Sequence, residues 1–259
     1  PLYDDLNNFS DNMALFEKNG LKGFIDINGR EIITAKYKQA TDFAEGLAAV
    51  AINGKWAYIN KIGKEVVAAK FTNASEFNDG IAVVEELSKF VFIDKQGKYL
   101  FQQKFDSARN FYKNSASVKM NGKWGLIDKK GSWIIQPNYE DIGNLAEGKI
   151  GVKMNGRWGF IDIKEKIMIA PQFLAIKEFS EGFGLAYHYA DYTKRNVWSY
   201  IDSTGKRIFG FSFETAEPFV DGKAKVSGST KPYYYIDHSG YRIGMQKENI
   251  QGEKNYVLF

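Results

Sequence analysis

The sequence predicts an all-β repeat protein: seven tandem units of about 34 residues, each folding into three or four short antiparallel strands. Three observations carry this. An Ile-Asp pair, with Asn in one copy, recurs at Ile25-Asp26, Ile59-Asn60, Ile93-Asp94, Ile127-Asp128, Ile161-Asp162, Ile201-Asp202 and Ile236-Asp237, in steps of 34, 34, 34, 34, 40 and 35. A Gly follows three residues later at Gly29, Gly63, Gly97, Gly131, Gly205 and Gly240; the fifth copy has Glu165 instead. Short strand-forming runs alternate with Asn, Asp and Gly punctuation, which marks antiparallel sheet, and no helical periodicity of useful length competes.

Each element follows from local chemistry. In the second copy Leu47–Ile52 is the first strand and Lys55–Ile59 the second. Asn53-Gly54 turns between them, since both central positions of a type I′ turn need positive φ. Lys61–Gly63 closes the next turn, where the preceding Asn or Asp accepts backbone N–H bonds and Gly takes the left-handed position. Lys64–Ala68 is the third strand, and Phe71–Phe77 a short fourth strand or extended connector ending at Asp79-Gly80. Two further landmarks keep phase. An aromatic or Leu precedes a Gly by three positions at Phe43, Phe77, Leu145, Phe179 and Phe219, and another aromatic begins each copy at Tyr3, Tyr37, Phe71, Phe105, Tyr139, Phe173 and Phe213. These aromatics read as core.

The segments Asn121–Asp128 and Asn155–Asp162 read Asn-Gly-(Lys/Arg)-Trp-Gly-(Leu/Phe)-Ile-Asp. The pattern resembles the WG repeat, or KWG repeat, of bacterial proteins. It is partial at Asn53–Asn60, where Ala57 and Asn60 replace Gly and Asp, and Gly20–Asp26 lacks the Trp. The third copy has Glu86-Leu-Ser-Lys-Phe90 in its place, the sixth inserts residues around Asp191–Arg195, and the seventh reads Ser227-Gly-Ser-Thr-Lys-Pro232. The resemblance implies a repeat scaffold and names no ligand.

Repeated meanders close as a propeller or advance as an open solenoid or superhelical array. A seven-bladed β-propeller is expected, because closure removes sheet edges and no distinct polar caps are seen. The N-terminal segment Tyr3–Phe9 is expected to complete the final blade, whose own third strand is Tyr241–Met245. One domain is expected over residues 1–246, with 247–259 a tail or closing strand.

Composition narrows the function. Hydrophobic residues make up 44% and aromatics 15%, enough for a sizeable core. A net charge of +4 does not imply nucleic acid. Without Cys there are no disulfides or thiolate metal sites. No apolar run approaches a membrane span, so no membrane insertion is expected. No signal peptide is read, since Pro1 opens directly on a repeat.

No reaction centre is read either. The repeated Asp is a turn residue accepting backbone hydrogen bonds, one per repeat, too dispersed for paired-carboxylate or calcium chemistry. Trp56, Trp124 and Trp158 are expected to pack between neighbouring repeats, with the following Gly giving room for the ring. Trp133 lies in a third strand, and Trp198 follows the insertion. His188 and His238 have no metal partner at short spacing and read as exposed turn residues. There is no serine elbow, phosphate loop or dinucleotide fingerprint. A non-enzyme without cofactor or metal is expected.

Departures from the repeat are where a site is sought, because insertions map to loops on one face. The sixth and seventh copies carry Tyr187, His188, Tyr189, Tyr192, Arg195, Lys231, Tyr233 and Tyr234, an aromatic-basic set of the kind enriched at hot spots. A protein or peptide partner is expected, with a glycan stacked on exposed aromatics as the alternative.

Overall fold

The structure, a computed structural model, describes residues 2–228 and 232–243. The expected tail 247–259, Lys231 and the end of Tyr241–Met245 lie outside the described residues. Among those described there are seven antiparallel sheets and no helix, hence no helix long and apolar enough to cross a membrane. The chain divides into two compact units, Pro1–Pro137 and Asn138–Phe259.

The first unit holds sheets one to three and nearly all of sheet four. Sheet one is Asp5–Leu6, Met13–Lys18, Leu21–Asp26 and Glu31–Tyr37 in that order. Sheet two is Leu47–Ile52, Lys55–Asn60 and Glu65–Phe71, preceded by an isolated bridge between Ala40 and Val50. Sheet three is Asn73–Ala74, Ala82–Glu86 and Lys89–Ile93, followed by a bridge between Phe90 and Phe105. Sheet four is Ser107–Ala108, Ser115–Met120, Lys123–Asp128 and Trp133–Tyr139. The second unit repeats the plan. Sheet five is Asp141–Ala146, Lys149–Met154, Arg157–Ile161 and Ile167–Phe173; sheet six is Ala175–Ser180, Phe183–Ala190 and Arg195–Ile201; sheet seven is Thr215–Ala216, Lys223–Ser227 and Tyr234–Asp237.

This phase corrects one expectation. The N-terminal segment does not complete the last sheet. Asp5 and Leu6 pair with Glu17 and Phe16, and Asn7 N–H donates to Leu15 O, so the segment opens sheet one. The short strand after each repeated aromatic likewise belongs to the sheet that follows it, as Asn73 and Ala74 pair with Glu85 and Val84. Only Thr72 separates Glu65–Phe71 from Asn73–Ala74, so one extended segment ends one sheet and begins the next.

Three kinds of turn recur among the described residues and follow the expected chemistry. Asn19-Gly20, Asn53-Gly54, Asn121-Gly122 and Asn155-Gly156 all have positive φ at both positions. Glu45-Gly46, Asp79-Gly80, Glu147-Gly148, Glu181-Gly182 and Asp221-Gly222 form a second set with the same signs. The third turn rests on the Ile-Asp pair. Asp128 Oδ1 accepts the N–H groups of Lys130 and Ser132, both at 2.8 Å, and Gly131 N–H donates to Asp128 O. Asp26, Asn60, Asp94, Asp162, Asp202 and Asp237 each accept the equivalent pair of backbone bonds.

The third copy keeps the two-residue hairpin but gives it unsuitable residues. Leu87 and Ser88 hold φ of 52° and 60°, and Leu87 is 84% exposed. A non-Gly residue in that region carries a steric cost that Asn and Gly avoid or reduce. Replacing Leu87-Ser88 by Asn-Gly is expected to stabilise the protein by about 1–2 kcal/mol, read as a higher urea midpoint at unchanged slope. An unchanged midpoint would show that this turn is not strained.

The cores lie between successive sheets. Met13, Leu15, Phe24, Ile33 and Tyr37 of sheet one pack with Phe43, Val50, Ala57 and Ile59 of sheet two, and Trp56, Tyr58 and Phe71 pack with Phe77, Val84 and Val91 of sheet three. In the second unit Phe160 and Phe173 meet Phe179 and Ala186, while Tyr200 and Phe213 meet Phe219 and Val226. The turn Gly of one repeat sits over the fourth strand of the previous one: a Cβ on Gly63 would lie 3.4 Å from Ile33, and on Gly205 2.8 Å from Ile169.

Candidate functional site

In four repeats an acidic residue of the second turn accepts a backbone N–H of the next repeat. Asp11 accepts the N–H of Gly46, Glu45 that of Gly80 at 3.0 Å, Glu147 that of Gly182 at 3.0 Å and Glu181 that of Gly222 at 3.0 Å. Two also meet a Lys of the following repeat, Lys61 at 2.7 Å from Asp11 and Lys95 at 3.0 Å from Glu45, and the His238 ring lies 2.7 Å from Glu181. Sequence reasoning noted the Gly of this landmark and missed the acid. Its signal was present, as Asp or Glu before every such Gly.

These contacts act on titration. The hydrogen bond from Lys61 holds the Asp11 carboxyl below its ordinary range, against the opposing effect of burial. Burial raises Glu45, but Lys95 and the Gly80 N–H together outweigh it, and the net shift is downward. A carboxyl depressed in the folded state contributes stability above its unfolded pKa and loses it as pH falls through the folded value. Melting temperature is therefore expected to fall as pH drops below about 4.5, the upper of the two ordinary values. The fall should be shallower in Asp11→Asn with Glu45→Gln; identical pH profiles would remove these staples from the account.

The repeated Trp side chains are structural. Trp56 and Trp158 are half-buried against the cores between sheets, and Trp124 is half-buried with the Arg109 guanidinium 4.2 Å from its ring centre. The following Gly has a different reason from the one expected. A Cβ on Gly159 would lie 2.5 Å from Ile169 O and 2.7 Å from Pro171 N; on Gly125 it would lie 2.6 Å from Ile135 O. The room is for the bulged backbone of the fourth strand, not for the indole. Register slips there, as Trp158 pairs with Phe173 but Phe160 with Ile169. Pro171 and Pro137 fit because a bulge releases their position from the ladder.

The sixth-copy insertion lengthens a hairpin. Phe183–Ala190 and Arg195–Ile201 are paired from Gly184–Ile201 to Ala190–Arg195. Strand alternation splits the expected residues between two faces. The Tyr187 ring packs tilted against Trp198, 5.1 Å between centroids, and Tyr189 shares that face. His188 points the other way. It is not an exposed turn residue but a half-buried strand residue, because the insertion extends the strand past it. Its Nδ1 lies 3.0 Å from Tyr189 O, so that nitrogen carries the proton, and its Nε2 lies 2.9 Å from Ser199 Oγ. Ser199 Oγ continues to Ser212 Oγ at 2.9 Å, and Ser212 to the Tyr192 hydroxyl. Arg195 donates to Glu214 at 2.8 Å. Tyr189 and Tyr192 remain 55% and 53% exposed.

The seventh copy is placed differently. Tyr234 packs against the core between sheets six and seven, with the Arg242 guanidinium 4.9 Å from its ring. Tyr233 is exposed, with Lys225 Nζ 3.7 Å from its ring. His238 does occupy an exposed turn, against Phe183 at 5.0 Å. Ser199, in a strand, and Ser212, outside one, were not singled out from sequence, because isolated serines carry no spacing signal. Among the described residues no group of three His, Asp or Glu side chains comes together as a metal site.

Blade-like sheets of this kind, repeated in tandem, define a β-propeller-like repeat protein. Two solved structures share the fold. BamB from Moraxella catarrhalis is 8% identical with a TM-score of 0.53, over 92% of this chain and 86% of that one. A crystal structure of the eukaryotic initiation factor is 12% identical with a TM-score of 0.63, over 93% of this chain and 77% of that one. The profile described as WG containing repeat matches at residues 1–21, 23–56, 56–90, 92–124, 124–158, 158–187 and 198–227, so the chain belongs to the WG-repeat family. No curated protein matches it.

Proposed function

We propose that this protein is a non-catalytic scaffold, in a bacterium as befits the repeat it carries, that presents a rigid face to a protein or peptide partner. The observation that carries this reading is the lengthened hairpin of sheet six. Tyr189 and Tyr192 stand exposed at its end, while hydrogen bonds from Tyr192 to Ser212 and from Arg195 to Glu214 tie it down. An aromatic held in place before binding costs little entropy when bound. The absence of catalysis is supported by the turn carboxylates, each of which is engaged with backbone N–H groups. The glycan alternative loses its repeated platform, since the WG indoles are packed into the scaffold.

The test is affinity capture with mass spectrometry, comparing the wild type with Tyr189→Ala/Tyr192→Ala/Arg195→Ala. A protein held by the wild type is expected to be lost or reduced about tenfold in the triple variant, each hot-spot truncation costing about 1–2 kcal/mol or more. Equal capture by both, with equal melting temperatures, would overturn the assignment of this hairpin.

A further inference from the structure

The third repeat departs from its neighbours along one row of residues. Asn73 pairs with Glu85, Glu85 with Phe90, and Phe90 bridges Phe105, so the four lie side by side across sheet three. The same row carries Ala51 beside Trp56 in sheet two, Lys119 beside Trp124 in sheet four and Lys153 beside Trp158 in sheet five. Here a smaller ring replaces the indole, and a carboxylate stands where two other repeats have Lys.

A cleft opens at this place. It has a volume of about 170 Å³, and its lining includes Asn73, Glu85 and Phe90 from sheet three with Ala108 and Asn110 from sheet four. Glu85 is half-buried, and among the described residues no hydrogen bond or ion pair reaches its carboxylate. Arg109, between the two sheet-four residues, stands over the Trp124 ring. The volume is below the roughly 300 Å³ at which small-molecule pockets begin, and it suits one side chain. A half-buried, unpaired carboxylate beside an aromatic ring is complementary to a cation.

We propose that this cleft seats one basic side chain, Arg or Lys, of a protein or peptide partner. Glu85 supplies the charge-assisted hydrogen bonds and the Phe90 ring a cation–π surface; the Asn110 amide oxygen, and the second lone pair of the Asn73 oxygen that already accepts the Ala74 N–H, are the remaining acceptors. The inference rests on the interaction-scaffold reading and adds an anchor at a place separate from the sheet-six hairpin.

The experiment is a titration of the isotope-labelled full chain with N-acetyl-arginine amide, followed by amide chemical shifts. N-acetyl-citrulline amide, of the same shape without the charge, is the control. Shifts are expected for the arginine compound around Val83–Phe90 and Ala108–Asn110, about tenfold weaker or absent with citrulline, which lacks the charge that strengthens the hydrogen bonds to Glu85. Glu85→Gln should abolish them. Phe90→Trp, which fills the cleft with the ring its neighbours carry, should abolish them with the fold intact. No arginine-dependent shift at tens of millimolar, equal binding of citrulline, or full binding by Phe90→Trp would each overturn the proposal. The assay needs no partner, so its failure alongside a positive sheet-six result leaves the scaffold reading standing.

Discussion

Phe92→Ala is expected to destabilise the protein by about 3–5 kcal/mol, the cost of deleting a fully buried aromatic ring and leaving its cavity. Phe92 has no exposure and touches three other rings: Phe111 at 5.0 Å, Phe101 at 5.6 Å and Phe105 at 6.1 Å between centroids. Two of these contacts are edge-on, the favoured geometry for such pairs. The cavity would open between sheets three and four, where the paired strands on either side limit collapse. Urea unfolding followed by far-ultraviolet circular dichroism reads the loss as a lower midpoint. A loss below about 1 kcal/mol would mean that the neighbouring rings close the gap, and that this core is softer than its packing indicates.

Gly159→Ala is expected to cost about 2–3 kcal/mol, at the upper part of the range for overpacking a tight site. The added Cβ meets the backbone of the facing strand: Ile169 O at 2.5 Å, Pro171 N at 2.7 Å and Ala170 C at 2.9 Å. A flexible side chain would swing aside; backbone held by a Pro ring does not. Sheet two supplies a natural comparison. Ala57 occupies the same place there and is fully buried, opposite a strand with Ala69 where sheet five has Pro171. The reverse change, Ala57→Gly, is expected to cost only about 0.5–1 kcal/mol, from chain entropy. If Gly159→Ala lies within about 0.5 kcal/mol of the wild type, the bulged strand yields freely and the close approach does not explain the glycine.

The repeat, its turns and its aromatic core were legible in the residues because their causes are local. Positive φ at Asn53-Gly54 is a property of two adjacent residues, and the bonds to Asp128 Oδ1 come from residues two and four positions away. Family membership was legible for the same reason, since the Trp-Gly unit is contiguous. What the tertiary structure decided is non-local. Whether Tyr3–Phe9 opens the first sheet or completes the last depends on which strand offers its edge, and Glu17 and Leu15 take it. The acid staples link residues 35 apart, as Glu45 does to Gly80, or 41 apart across the sixth-copy insertion, and no spacing within one repeat announces them. His188 read as a turn because the insertion hid the lengthened strand that carries it. The cleft at Glu85 exists only where the first strand of sheet four comes to lie beside a row that lacks its indole. Turn chemistry acts within a few residues and is written in their order; strand partners, approach distances and cavities are set by which repeat packs on which.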